Sequence, residues 1–216
     1  MGHRALVAYR RPDRRYDLRY SHWGGEDVSL GDRISAETPL GDGDVDGDLL
    51  AEAIDRDRLL IEYLDPCRYE ALYVVEPGGD YHVSAYRVCW LEWPGGRDGD
   101  RGAIVAVEND AADRRVRTWF RATKTTLADV VEMGVLSWRA ARTYLEARVC
   151  EDEDGAVYTY GASDTDSVDY APSSTEWLDG DGRRDSAPRD ERWGPDGGQE
   201  RNEGWNPDED GEGRGR

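Results

Sequence analysis

Lysine is almost missing from this chain. Lys124 is the single example among 28 basic residues, so positive charge is carried by arginine. Phenylalanine occurs once, as Phe120. The three cysteines, Cys67, Cys89 and Cys150, are odd in number, far apart and never spaced as CxxC. That excludes a disulfide or zinc framework and makes them small buried hydrophobes in a reducing interior. No apolar run approaches the roughly 20 residues that span a bilayer. Residues Met1 to Arg10 hold no apolar stretch of signal-peptide length, so the chain is expected in the cytoplasm, away from membranes. HExxH and GxSxG are both missing, which removes the familiar short signatures of zinc proteases and serine hydrolases.

What the chain has instead is acid. Asp plus Glu number 47, for a formal net charge of -19. Arginine in place of lysine is what a GC-rich genome produces. The acid excess adds a second cause, a high-salt cytoplasm. At about 1 M salt the Debye length falls to roughly 3 Å, which silences self-repulsion on an acidic surface. The two features together favour an extreme halophile.

Composition changes after Cys150. Residues 151–216 carry 20 acidic and 7 basic side chains, rich in Gly, Ser and Pro and poor in aliphatics. Such a segment buries too little apolar surface to offset its ordering entropy. The expectation is a folded domain over 1–160 and a disordered acidic tail over 161–216. Ala156 to Tyr160 would add a short last strand.

Within the domain, His3 to Arg10 and Tyr16 to Trp23 read as a hairpin around Arg11-Pro12-Asp13-Arg14-Arg15. With Asp13 and Arg14 at the centre, Val7 pairs with Tyr20 and Ala5 with His22. One core-facing side then carries His3, Ala5, Val7, Tyr9, Leu18, Tyr20 and His22. Residues 24–47 read as an acidic loop. Leu49, Leu50, Ile54, Leu59, Leu60, Tyr63 and Leu64 recur at helical spacing from Asp48 until Pro66. Ala71 to Val75 and Tyr81 to Trp93 form a second hairpin around Pro77-Gly78-Gly79-Asp80. Ala103 to Val107 is a further strand. Residues 121–133 and the Ser137-capped run to Val149 are helices separated by Gly134. The expected fold is α+β: an antiparallel sheet of about five strands, with helices packed on one face.

The opening HRALVAYRRPD and YDLRYSHWG, the later EALYVV and the segment GVLSWRAARTYLEA resemble an uncharacterised haloarchaeal family, a domain of unknown function. The resemblance covers residues 2–150 or so. It agrees with the halophilic composition and implies no activity, ligand or catalytic residue.

Four groups of residues carry candidate chemistry. His3 and His22 share a sheet face in the register above, with Glu26 and Asp27 nearby; two imidazoles and a carboxylate can bind a metal or move a proton. The plainer alternative is two packed, hydrogen-bonded histidines. Residues 42–53, DGDVDGDLLAEA, resemble an EF-hand calcium loop, with Asp42, Asp44, Asp46 and Asp48 at ligand positions and Gly47 at the turn. The bidentate Glu is replaced by Ala53, and no incoming helix precedes the loop. A solvated acidic loop is the plainer alternative. Residues 114–148 are an arginine-rich island in an acidic chain. Arg117, Arg121, Lys124, Arg139 and Arg142 are its candidate nucleic-acid or partner contacts, interleaved with Trp119, Phe120 and Trp138. The helices around Gly134 loosely resemble a helix-turn-helix, with a turn one residue too long. High salt weakens phosphate contacts, and pairing with the chain's own carboxylates is the competing use. Trp177, Trp193 and Trp205, each in an acidic Gly/Asp setting, are candidate docking anchors in the tail.

The reading that follows is a non-enzymatic, halophilic binding or accessory protein that contacts a macromolecular partner. A nucleic-acid-associated protein using 114–148 is the second reading. A small metal-dependent enzyme using His3 and His22 is the third.

Overall fold

A computed structural model describes residues 3–78, 81–93 and 100–162. These belong to the first of two compact units, Met1–Asp179; the second, Gly180–Arg216, lies outside the described residues.

The elements run β1 (Ala5–Arg10), β2 (Tyr16–Ser21), α1 (Leu30–Arg33), β3 (Ala51–Ile54), α2 (Arg56–Arg58), β4 (Ala71–Glu76), β5 (His82–Trp90), β6 (Arg101–Val107), α3 (Asp110–Glu132), α4 (Trp138–Asp152) and β7 (Ala156–Thr159). The strands form one sheet of seven in the order β3-β2-β1-β4-β5-β6-β7. The sheet is mixed, not antiparallel: β1 and β4 run parallel at its centre, Ala5 opposite Ala71 and Val7 opposite Tyr73. All other neighbours are antiparallel. Central strands buried on both faces read as continuous apolar runs. ALVA in β1 and ALYVV in β4 have that form and are buried throughout.

Both sheet faces are covered, which corrects the expected single helical layer. One face packs Leu6, Ala8, Leu18, Leu72, Val74 and Val88 against Leu59, Leu60 and Leu64, from the turn of helix that follows β3. On the other face, Ala5, Val7, Tyr73 and Val75 lie under Leu30 and Ile34 of the α1 segment. Further along that face, Cys89, Ala103 and Val105 meet Val116 and Leu127 of α3 and Ala141, Leu145 and Val149 of α4. The Tyr73 hydroxyl donates to the carbonyls of Gly24 (2.6 Å) and Asp27 (3.0 Å), which pins the acidic loop to the sheet.

The first hairpin forms with its register one residue from the expected one, Ala5 opposite Ser21 and Val7 opposite Arg19. The cause is the turn. Arg10 pairs with Tyr16 across a five-residue loop in which Arg14 takes a positive φ of 65°. A one-residue slip exchanges the faces of a whole strand. Ala5, Val7 and Tyr9 therefore point away from the side that holds Leu18 and Tyr20.

The helix expected from Asp48 is the largest local correction. Residues Ala51–Ile54 instead pair with β2, and Leu49 and Leu50 are exposed. Asp17 draws this edge in by accepting from the Ala53 amide at 3.0 Å. Asp55 then caps α2, accepting from the Arg58 amide at 2.8 Å, and the chain continues as a π-helical turn over Leu59–Tyr63. Helix α3 starts 11 residues before the expected Arg121, at Asp110. Asn109 is its cap and accepts from the amides of Ala111 and Ala112. Gly134 ends that helix region at φ 73°, and Ser137 caps α4 as expected. The last strand, β7, also forms as expected.

Candidate anion-binding site

A cavity of about 590 Å³ opens where the starts of β1 and β4 meet the end of β5, beneath the middle of α3. The helix supplies one wall. Arg117, Arg121, Lys124 and Ala128 line it, each three or four residues from the next, a spacing that puts them on one helical face, with Phe120 beside Arg121. The sheet supplies His3, Glu70, Arg87 and Cys89, and Trp93 closes the side beyond β5.

Arg87 is the anchor of this site. Its side chain is only 3% exposed. Nε donates to Oδ1 of Asp113, itself 1% exposed, at 2.5 Å. Nη1 donates to the carbonyls of Gly25 (2.8 Å) and Glu70 (2.9 Å). The remaining nitrogen, Nη2, is buried and has no hydrogen-bond partner among the described residues. A buried polar group of that kind costs about 1–3 kcal/mol, more when charged. Arg87 lines the cavity, and this nitrogen is its one donor group without an acceptor among the described residues.

Lys124 is the second unusual group. It is half-buried, and its ammonium donates to the Trp90 carbonyl at 2.6 Å. It also lies 4.4 Å from the ring centroid of Trp90, 5.4 Å from Trp93 and 5.7 Å from Phe120. Burial pushes its pKa down to about 8. Trp93 is held in turn: its indole donates to the Lys124 carbonyl at 3.3 Å, and its ring packs on Trp138 of α4 at 5.2 Å. Burial also pushes the Cys89 thiol up to about 12, so it is neutral and inert. Cys67, by contrast with the sequence expectation, is exposed.

The candidates from sequence fall as follows. His3 reaches the cavity, with Nδ1 3.0 Å from Glu70 Oε2. His22 is exposed elsewhere, with Nδ1 3.0 Å from the Tyr20 hydroxyl and its ring against Trp23. The shifted register gives the two histidines separate partners. Asp42, Asp44, Asp46 and Asp48 lie along the loop before β3. Asp44 pairs with Arg33, the Asp46 amide donates to the Tyr20 carbonyl at 2.8 Å, and Asp42 has a positive φ of 57°. Among the described residues, no group of three or more His, Cys, Asp or Glu side chains is placed to hold a metal ion.

The arginine island is divided in use. Arg117 donates to the Glu26 carbonyl at 2.6 Å and lies 3.6 Å from Asp113. Arg142 pairs with Glu92 at 2.9 Å, Arg115 with Glu153 at 3.3 Å, and Arg148 with Asp152. Arg121 and Lys124 face the cavity, while Arg139 is exposed on α4. Trp177, Trp193 and Trp205 lie outside the described residues.

Arg87, Asp113, Glu70 and Trp93 were not among the sequence candidates. The available signal was Arg87 itself, a lone charge inside the apolar run Ala85 to Leu91.

A family of unknown function (DUF6735) matches residues 1–56 and 42–158. The chain belongs to this family. The matched spans contain every cavity residue named above and six whole strands, and end at Tyr158, one residue before β7 does. No curated protein and no solved structure matches the chain. Among the described residues, no helix is long and apolar enough to cross a membrane.

Proposed function

We propose that this chain is a non-enzymatic binding protein whose ligand presents a carboxylate or phosphate to the cavity between β5 and α3. The observation that carries this reading is the unpartnered Nη2 of buried Arg87, in a wall shared with Arg121 and Lys124. A cavity of 590 Å³ lies within the range of roughly 300–1,000 Å³ typical of small-ligand sites. Trp93 and Phe120 add apolar walls, which favours an anion that carries a hydrophobic group. The concave site favours a small ligand over the broad macromolecular contact expected from composition. Nucleic-acid binding loses support because Arg115, Arg117, Arg142 and Arg148 are engaged with carboxylates of their own chain.

The setting we infer is a haloarchaeal cytoplasm. The net charge of -19 and the single lysine support it. A cationic cavity inside so acidic a molecule also fits, since high salt shortens the reach of the surrounding negative field.

Titration calorimetry in KCl sufficient to hold the fold tests the site. The probes are phenyllactate, a carboxylate with a ring, and inorganic phosphate. We expect saturable heat from at least one. Arg121→Gln, at an exposed residue of the cavity wall, should weaken it about tenfold, the value of one charge-assisted hydrogen bond. No saturable heat from either probe overturns the reading.

A further inference from the structure

Every basic position in this chain is arginine except one, and that one faces the cavity. The contacts of Lys124 do not by themselves call for lysine. Arginine also donates to carbonyls, and it is the more frequent partner in cation–π pairs. What arginine cannot do is lose its proton and become a nucleophile. An amine desolvated among aromatic rings can do so, which is how lysines are activated toward carbonyl compounds.

We propose that Lys124 forms a reversible imine with a 2-oxo acid held in this cavity, the carboxylate bound by Arg87 and Arg121. This rests on the anion reading of the cavity. The neutral Nζ adds to the keto carbon and forms a C–N bond. The C–O bond of the resulting carbinolamine then breaks. Its oxygen leaves as water with both amine hydrogens, giving C=N with no change in oxidation state. Two features of the site suit that sequence. Arg87 offers Nη2, a donor already desolvated and without a partner among the described residues. Trp93 and Phe120 flank Lys124 and give the acid's side chain an apolar surface. The depressed basicity of Lys124 supports the step. With a pKa of about 8, roughly a tenth of the amine is neutral at pH 7, against well under a thousandth for an ordinary lysine.

The composition makes the test clean, because the chain carries only two kinds of amine, Lys124 and the N-terminal α-amine. The full chain is incubated with phenylpyruvate and cyanoborohydride, and the adducts are mapped by peptide mass spectrometry. The α-amine has an ordinary pKa of about 7.7–8.0, so it is an internal reference of matched basicity. We expect labelling of Lys124 at least tenfold above the α-amine. Arg121→Gln should reduce it several-fold while α-amine labelling and the far-ultraviolet spectrum stay unchanged. Phenyllactate cannot form an imine and reports anion binding alone. If it binds while Lys124 is labelled no faster than the α-amine, the imine is overturned and the anion site stands. If it does not bind and Lys124 stays unlabelled, both fall. Lys124 labelling indifferent to Arg121→Gln also overturns the proposal, because the amine would then be reactive without a guided acid.

Discussion

Replacing Asp113 by Ala is the most direct probe of how the cavity is held together. Asp113 accepts from Arg87 Nε at 2.5 Å, and the two side chains are 1% and 3% exposed. Arg87 also ties down the Gly25 and Glu70 carbonyls, so this one arginine joins β5, the acidic loop, the entry to β4 and helix α3. Removing the carboxylate strands a guanidinium in the interior. Breaking a buried pair from one side costs about 3–5 kcal/mol, because the remaining charge cannot reach water. Arg117, 3.6 Å from the same carboxylate, loses a partner as well. For a domain of this size, about 2–4 °C of melting midpoint corresponds to each kcal/mol, so the drop should be on the order of 10 °C. Thermal unfolding by circular dichroism at pH 7 and fixed KCl measures it. The double variant Arg87→Met, Asp113→Leu removes both charges and should recover most of the loss, giving a coupling energy above about 2 kcal/mol. If the single variant costs under about 1 kcal/mol, or the double one is as unstable as the sum of the singles, the pair does not hold the site as argued.

Transfer from multi-molar KCl to dilute buffer should abolish the cooperative melt, and restoring KCl should bring it back; an unchanged far-ultraviolet spectrum would end the halophilic reading. Gly102→Ala should destabilise by about 1–3 kcal/mol in chemical denaturation, since its new Cβ would lie 2.6 Å from the Tyr158 ring and 2.8 Å from Pro66. Lys124 has a folded pKa of about 8, below its unfolded value of 10.5. The unfolded chain therefore binds more protons between pH 8 and 10.5, and stability attributable to this group rises across that window. Lys124→Met should flatten the rise in melting midpoint over the same range. Cys89 and Cys67 enter this window as neutral thiols, and Glu92 as a carboxylate, so the comparison with Lys124→Met isolates the amine.

Strand and helix signals were readable where local chemistry was decisive. Gly134 and Ser137 punctuate α3 and α4 because one takes a positive φ and the other caps by accepting from the Ala140 amide. The hairpin around Pro77-Gly78 was plain from the apolar runs on either side. Errors arose where a distant partner decided the matter. Leu49 and Leu50 look helical by spacing, yet the free edge of β2 captured Ala51–Ile54 as a strand. The parallel pairing of β1 with β4 spans about 65 residues; the runs ALVA and ALYVV mark both strands as central, but nothing local names the partner of either. The site was not locally legible either. Its lysine and two of its arginines stood out as part of a basic island, but the stripe they form shows only once α3 is known to begin at Asp110. Arg87 and Asp113 lie 26 positions apart, and only the fold makes them a pair.

The central parallel seam divides the molecule in a way its sequence order conceals. Everything on one side, β3-β2-β1, comes from residues up to Ile54; everything on the other, β4-β5-β6-β7, comes from Ala71 onward. The strands on each side are linked to one another by antiparallel neighbours; within the sheet the halves join along the single β1–β4 ladder, reinforced by Tyr73 and Arg87 reaching the carbonyls of Gly24, Gly25 and Asp27. A cut in the intervening segment near Pro66 would leave two fragments, each with its own hydrogen-bonded meander and one newly opened edge, β1 or β4. Those edges pair with each other in the intact chain and are apolar on both faces, so we expect the two fragments to reassemble when mixed. The cavity straddles that join, with His3 from the first piece and Arg87 from the second. Reconstitution of the ligand site would then report on docking of the pieces.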